Sequence, residues 1–114
     1  METFGQRIRR LRKERRITQL ELAERIGVDF TYVSKIENDR TARPPAESTI
    51  RKIAAVLSTD AEELILLAKK VPQNLQETIV QDPLAVDFLR VVPKFNADQR
   101  RAVKRIIDTA EGAR

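Results

Sequence analysis

The chain has 114 residues, 22 of them Lys or Arg against 17 Asp or Glu, a formal net charge of +5, and neither cysteine nor histidine. That length allows one compact domain, or a small domain with an appendage, around a modest core, while the missing residue types exclude a disulfide framework, the usual zinc ligand sets, a thiolate nucleophile and the usual general base. Three glycines leave no Gly-rich phosphate cradle, and no apolar run nears the roughly 18 residues that span a membrane; a cytoplasmic protein with no enzymatic activity, metal or cofactor is expected.

Charge is unevenly spread. Within the first sixteen residues Arg7, Arg9, Arg10, Arg12, Lys13, Arg15 and Arg16 face only Glu2 and Glu14, and the remainder of the chain is balanced. Thr3 and Gln6 can form a capping box, after which Phe4, Ile8 and Leu11 mark the buried stripe of a first helix running to about Arg15. Its other faces are basic, which suits a phosphate backbone or an anionic surface, or is simply a solvated face.

The most specific stretch is Thr18 to Asn38, TQLELAERIGVDFTYVSKIEN. Thr18 with Glu21 reads as a capping box, Leu22, Ala23 and Ile26 give one apolar face, and Gly27 can take the left-handed conformation that ends a helix. Asp29 is placed to cap a second short helix whose buried side is Val33 and Ile36, leaving Thr31, Ser34 and Lys35 outward. A small residue at Ala23 lets the second helix cross closely. The pattern is a helix-turn-helix, and Gln19, Leu22, Ala23, Gly27, Val33, Ile36 and the run SKIEN resemble the XRE family, the lambda-repressor and Cro-like DNA-binding proteins.

That resemblance implies double-stranded DNA as partner, with a recognition helix of about Asp29 to Asn38 in the major groove and the helix from Thr18 lying across the backbone. Phe30, Thr31 and Lys35 match base-reading positions: a lysine can donate to guanine O6 and N7, and an aromatic ring or a threonine methyl can touch thymine methyls. Gln19 matches a phosphate-contacting glutamine and Asn38 a backbone-contacting asparagine, while Tyr32 and Ser34 would reach phosphates; for both aromatics, packing into the core is the competing reading. Arg12 matches an arginine that pairs with the glutamate late in the recognition helix, here Glu37; the competing reading is a solvated charge. Where the family usually has glycine, this chain has Arg16 and Asp39. Asp tolerates a left-handed backbone better than most residues, so Asn38-Asp39 can still turn, whereas Arg16 must take that conformation at some cost or let its helix end differently. Arg40 and Arg43, in the proline-containing loop that follows, are candidates for phosphate contacts that position the protein without reading sequence.

A fourth helix from about Ala46 would bury Ile50, Ile53, Ala54 and Leu57, and a fifth, capped by Asp60 with Glu63 completing the box, is apolar nearly all round from Leu64 to Ala68. Beyond it, Leu75 and Ile79 suggest a short helix. Asp82-Pro83 opens another with Leu84, Phe88, Leu89 and Val92 on its face, and Pro93 stops it. Asn96 with Gln99 starts a last helix whose stripe is Val103, Ile106, Ile107 and Ala110, suited either to an intrachain core or to a dimerisation arm. The expectation is an all-α chain, a five-helix lambda-repressor-like DNA-binding domain over 1–70 and a helical extension over 71–114 that dimerises or packs. A repressor-like regulator, dimeric on a palindromic site and nucleoid-associated, is the first functional reading. The alternatives are an antitoxin or partner-binding module with autoregulatory DNA binding, with a regulatory protein as its partner, and a non-specific architectural binder.

Overall fold

The computed structural model describes residues 1–112, and the secondary structure of those residues is entirely helical: α1 Phe4–Glu14, α2 Gln19–Ile26, α3 Phe30–Glu37, α4 Glu47–Leu57, α5 Ala61–Leu67, α6 Gln73–Gln81, α7 Pro83–Val91, a 3-10 turn Val92–Lys94 and α8 Ala97–Ala110. The chain divides into two compact units, Met1–Gln73 and a second that begins at Asn74.

In the first unit the helices start where side chains can satisfy free amides. Thr3 and Thr18 each close a full capping box, with Gln6 and Glu21, and Asp29 accepts from the Thr31 amide at 2.9 Å. The Thr18 amide hydrogen bond, with the Thr18 hydroxyl next, holds the Glu21 carboxyl below its ordinary range. The capping box expected at Asp60 does not form. Asp60 instead accepts from the Glu62 amide at 3.0 Å, and the Glu63 carboxylate lies 4.0 Å from Arg7 Nη1 rather than folding back on its own helix.

All five helices of this unit end alike. Each closes with a pair of backbone hydrogen bonds around a left-handed residue, as where the Ile17 amide reaches Arg12 O and the Arg16 amide reaches Lys13 O. The left-handed residues are Arg16, Gly27, Asp39, Ser58 and Lys69, with φ between 52° and 76°. Only Gly27 takes that conformation without a Cβ penalty, which is about 1–2 kcal/mol for an L-residue. Arg16 and Asp39 therefore adopt the backbone their family positions call for, and the helices end on schedule.

Apolar stripes from the five helices meet in one core. Ile8 of α1, Ile50, Ile53 and Leu57 of α4, and Leu64 and Ile65 of α5 are wholly buried, joined by Leu22, Ala23 and Ile26 of α2 and Val33 and Ile36 of α3. Burying each large aliphatic side chain contributes about 1.5–3 kcal/mol. Gly5 marks the tightest crossing: a Cβ there would sit 2.3 Å from the Ile36 carbonyl oxygen, so the end of α3 can pass against the start of α1 only because residue 5 has no side chain. On α5, Leu66 stays 51% exposed, so its apolar surface is covered on the α4 side and left open on another.

The second unit has the same quality of local signals without a core. Asp82 accepts from the Leu84 amide ahead of Pro83 in the first turn of α7, Asn96 and Gln99 close a capping box, and Phe88 and Phe95 pack edge to face at 5.8 Å. Yet none of its described residues is buried, and Leu84 and Ile106 are 73% and 66% exposed. Within this unit the stripe of α8 is left largely open, with Ile106 and Ile107 exposed and Val103 half-buried.

Candidate nucleic-acid interface

The recognition helix is locked from beneath. Arg12 meets Glu37 in a two-pronged pair, Nε to Oε2 at 2.6 Å and Nη2 to Oε1 at 2.9 Å, and its Nη1 donates to the Ile17 carbonyl at 2.9 Å. Glu37 is 3% exposed and Arg12 8%. Planar guanidinium against carboxylate is the strong geometry for a charge pair, and the third donor goes to backbone, so the buried charges are satisfied. Arg12 is thus no solvated charge. Gln19 joins the same carboxylate through Nε2 at 3.0 Å. One of its two amide hydrogens is thereby committed inside the fold and the other remains. The three side chains tie α1, the start of α2 and the end of α3 together.

A second clasp was not legible in the sequence. The Asp39 carboxylate accepts from the Gly5 amide at 3.0 Å and from the Thr3 hydroxyl at 2.5 Å, capping the N-terminus of α1 from the far end of α3. Negative charge there also opposes the positive end of the α1 dipole. A partner 34 residues away leaves no trace in local spacing. Only the departure from glycine at this turn hinted that residue 39 has a side-chain role.

With Val33 and Ile36 facing the core, α3 turns Phe30, Thr31 and Lys35 outward. Phe30 is 47% exposed, which removes its core-packing reading. Tyr32 is half-buried and packs on the core, so for this residue that reading holds in part. Ser34 is half-buried, and Asn38 uses its side-chain Nδ2 to close the helix on Ser34 O at 2.9 Å. Arg40 and Arg43 are exposed on the loop after α3.

Cations on α1 fall into two sets. Glu2 engages Arg7 at 2.8 Å and Arg10 at 2.6 Å, while Glu14 engages Arg10 at 2.8 Å and lies 3.7 Å from Arg15. Hydrogen bonds from Arg10 and then Arg7 hold the Glu2 carboxyl down to about 2. Arg9, Lys13 and Arg16 are exposed and have no ion-pair partner among the described residues. They line an open groove of about 770 Å³ with Thr18, Gln19, Leu20, Phe30 and Asn38. Composition revealed the basic helix; only the structure separates its neutralised face from its open one. Among the described residues no three His, Cys, Asp or Glu side chains are grouped to hold a metal, and no helix is long and apolar enough to cross a membrane.

Comparison with known proteins converges on the same stretch. A family model described as helix-turn-helix matches residues 8–64. The chain is 38% identical over 80 residues to the HTH-type transcriptional regulator RghRB of Bacillus subtilis, covering 68% of this chain and 57% of that protein. It is also 38% identical over 80 residues to the immunity repressor protein of Bacillus phage phi105, covering 66% and 54%. It therefore spans little more than half the length of these relatives. A solved SinR protein/SinI protein complex contains a chain that is 26% identical, matched over 96% of this chain and 99% of its own with a TM-score of 0.53.

Proposed function

The chain belongs to the XRE-type helix-turn-helix family, and from that premise we propose that it is a transcriptional regulator, a repressor by preference, that binds a specific double-stranded DNA site as a dimer. The observation that carries this reading is the outer face of α3, where Phe30, Thr31 and Lys35 stand clear of the core on a helix fixed by Arg12, Glu37 and Gln19. A recognition helix needs that combination, since its docking register has to be fixed before its early side chains reach base edges. Lys35 offers donors for guanine, and Phe30 and Thr31 offer apolar contact for thymine methyls. Gln19, Tyr32, Ser34, Asn38, Arg40 and Arg43 then serve the phosphates, which position the helix without reading sequence. Relatives named as a transcriptional regulator and an immunity repressor support this reading.

Two-fold proteins match two-fold operators, and the exposed apolar side chains of the second unit, Leu84, Leu89 and Ile106 among them, are the surface proposed to bring two copies together. A second reading takes those side chains as the seat of a different protein. Resemblance to a SinR chain solved in complex with SinI favours considering it. Light scattering of the purified protein separates the two: a monomer at micromolar concentration would favour the partner over the dimer.

DNA selected from a random pool supplies the test of the main reading. A palindromic consensus is expected. On the selected site Lys35→Ala is expected to cost about 1–3 kcal/mol and to relax preference at one base position, whereas Arg43→Ala weakens matched and scrambled DNA alike. Equal losses on both DNAs for Lys35→Ala would remove its base-reading role.

A further inference from the structure

Two observations on the groove beside α1 point the same way. Arg16 holds a left-handed backbone, φ 56°, in which a glycine would be unstrained, and its side chain makes no hydrogen bond or ion pair among the described residues. The helix end it occupies is closed by backbone hydrogen bonds and by the Arg15 and Arg12 side chains, which donate to the Leu11 and Ile17 carbonyls, so the closure does not use the Arg16 guanidinium. Strain of this kind at an exposed, chemically capable residue points to a role outside the fold. Independently, Glu2 and Glu14 engage Arg7, Arg10 and Arg15, which leaves Arg9 and Lys13 on α1 and Arg16 at the turn after it without a counter-ion among the described residues. Those three line one groove with Leu20 and Phe30.

We propose that Arg9, Lys13 and Arg16 form a phosphodiester-binding site for one strand of the DNA, with Leu20 receiving the deoxyribose between adjacent phosphates. Arg16 is the central contact, since its side chain leaves the chain at the turn between α1 and α2, beside Thr18 and Gln19. Glu2 acts as a sorting residue: by holding Arg7 and Arg10, it confines the positive field of α1 to the groove. This inference rests on the DNA-binding reading given above and extends it to residues of α1.

Salt dependence provides the measurement. Each phosphate contact releases counter-ions, so its loss lowers the slope of log affinity against log salt by about 0.9 on duplex DNA. Arg9→Gln, Lys13→Gln and Arg16→Gly are each expected to lower the slope by about that amount, equally on the selected site and on scrambled duplex. Arg7→Gln and Arg10→Gln, made as controls, are expected to leave it unchanged. Arg16→Gly also separates binding from folding, because it is expected to raise the melting temperature while weakening binding. A wild-type slope in all three groove variants overturns the site, as does equal flattening by Arg7→Gln and Arg10→Gln; a more stable Arg16→Gly that binds like wild type removes Arg16 from it. Absence of duplex binding by the wild-type protein would overturn the DNA-binding reading, and the site with it. Binding with a steep wild-type slope but unaltered variants defeats the groove site alone.

Discussion

The two units are built from helices of equal local quality, and only one of them has an interior. The box at Asn96 and Gln99 that starts α8 is as complete as those at Thr3 and Gln6 or Thr18 and Glu21. α8 is also the longest helix, at 14 residues. What separates the units is where the stripes go. In the first, Ile8, Leu22, Val33, Ile53 and Leu64 come from five helices and share one core; in the second, Leu84 and Ile106 project into solvent. Isolated helices of about 12–15 residues are marginal in water however well capped. Caps therefore decide where helices begin, and stability comes from facing stripes.

The largest effect should come from the buried pair, which among the described residues only the first unit possesses. Glu37→Ala leaves Arg12 buried without its carboxylate and also strips Gln19 of its acceptor, an expected loss of about 3–5 kcal/mol in urea denaturation. Next comes a matched pair of truncations. Leu57→Ala, in the core, is expected to cost about 2–5 kcal/mol, whereas Ile106→Ala should stay within about 0.5 kcal/mol in a monomeric sample and instead weaken self-association in sedimentation velocity. Similar stability losses for the two would erase the contrast between the units.

Helix ends give a smaller and subtler comparison within the first unit. Ser58 and Asp39 both hold left-handed backbones at the ends of helices, φ 52° and 55°. Ser58→Gly removes strain and is expected to gain about 0.5–1 kcal/mol. Asp39→Gly removes the same strain but also the clasp on Gly5 and Thr3, and charged hydrogen bonds of that kind contribute about 1.5–3 kcal/mol each, so its net effect should be a loss. Thermal denaturation of both variants checks the signs, and a gain at residue 39 would show the clasp to be energetically idle.

Most of the fold was legible because it is written in short-range chemistry. Thr18 to Glu21, Asp29 to Thr31 and Asp82 to Leu84 are caps spanning two or three residues, and the stripes of α1 to α4 repeat every three or four. The Arg12–Glu37 pair was reached through family resemblance, not through spacing. Asp39 to Gly5, Gln19 to Glu37 and Arg7 to Glu63 were not legible, since each joins residues 18 or more positions apart through side chains whose direction depends on the packed helices. Glu63 shows the cost of local reasoning alone: spacing makes an acid three residues after a cap a candidate for the capping box, but its carboxylate lies towards Arg7 on another helix, 4.0 Å away. The candidate site divided in the same manner. Its outward face on α3 followed from Val33 and Ile36, while the open face of α1 depended on where Glu2 and Glu14 pointed.

The smallest expected effect concerns those same acids and is best read through pH. Glu2 has its carboxyl held to about 2 in the folded protein against an ordinary value of 4.5, chiefly by the hydrogen bond from Arg10 and then by that from Arg7. Because the folded value is the lower one, the ion pairs add stability that is fully present above 4.5 and is lost as pH falls from there towards 2. Glu2→Gln should therefore lower the melting temperature slightly at pH 7, and the gap from wild type should close across the acid window and vanish near its floor. Exposure to solvent screens such pairs and keeps the gap small. The second unit serves as the internal control, since the ion pairs of Glu2 among the described residues are with Arg7 and Arg10 of α1. Ile106→Ala measured over the same pH range should run parallel to wild type, and a Glu2→Gln gap that stayed constant down to the acid end would mean that its pairs with Arg7 and Arg10 contribute nothing to folding.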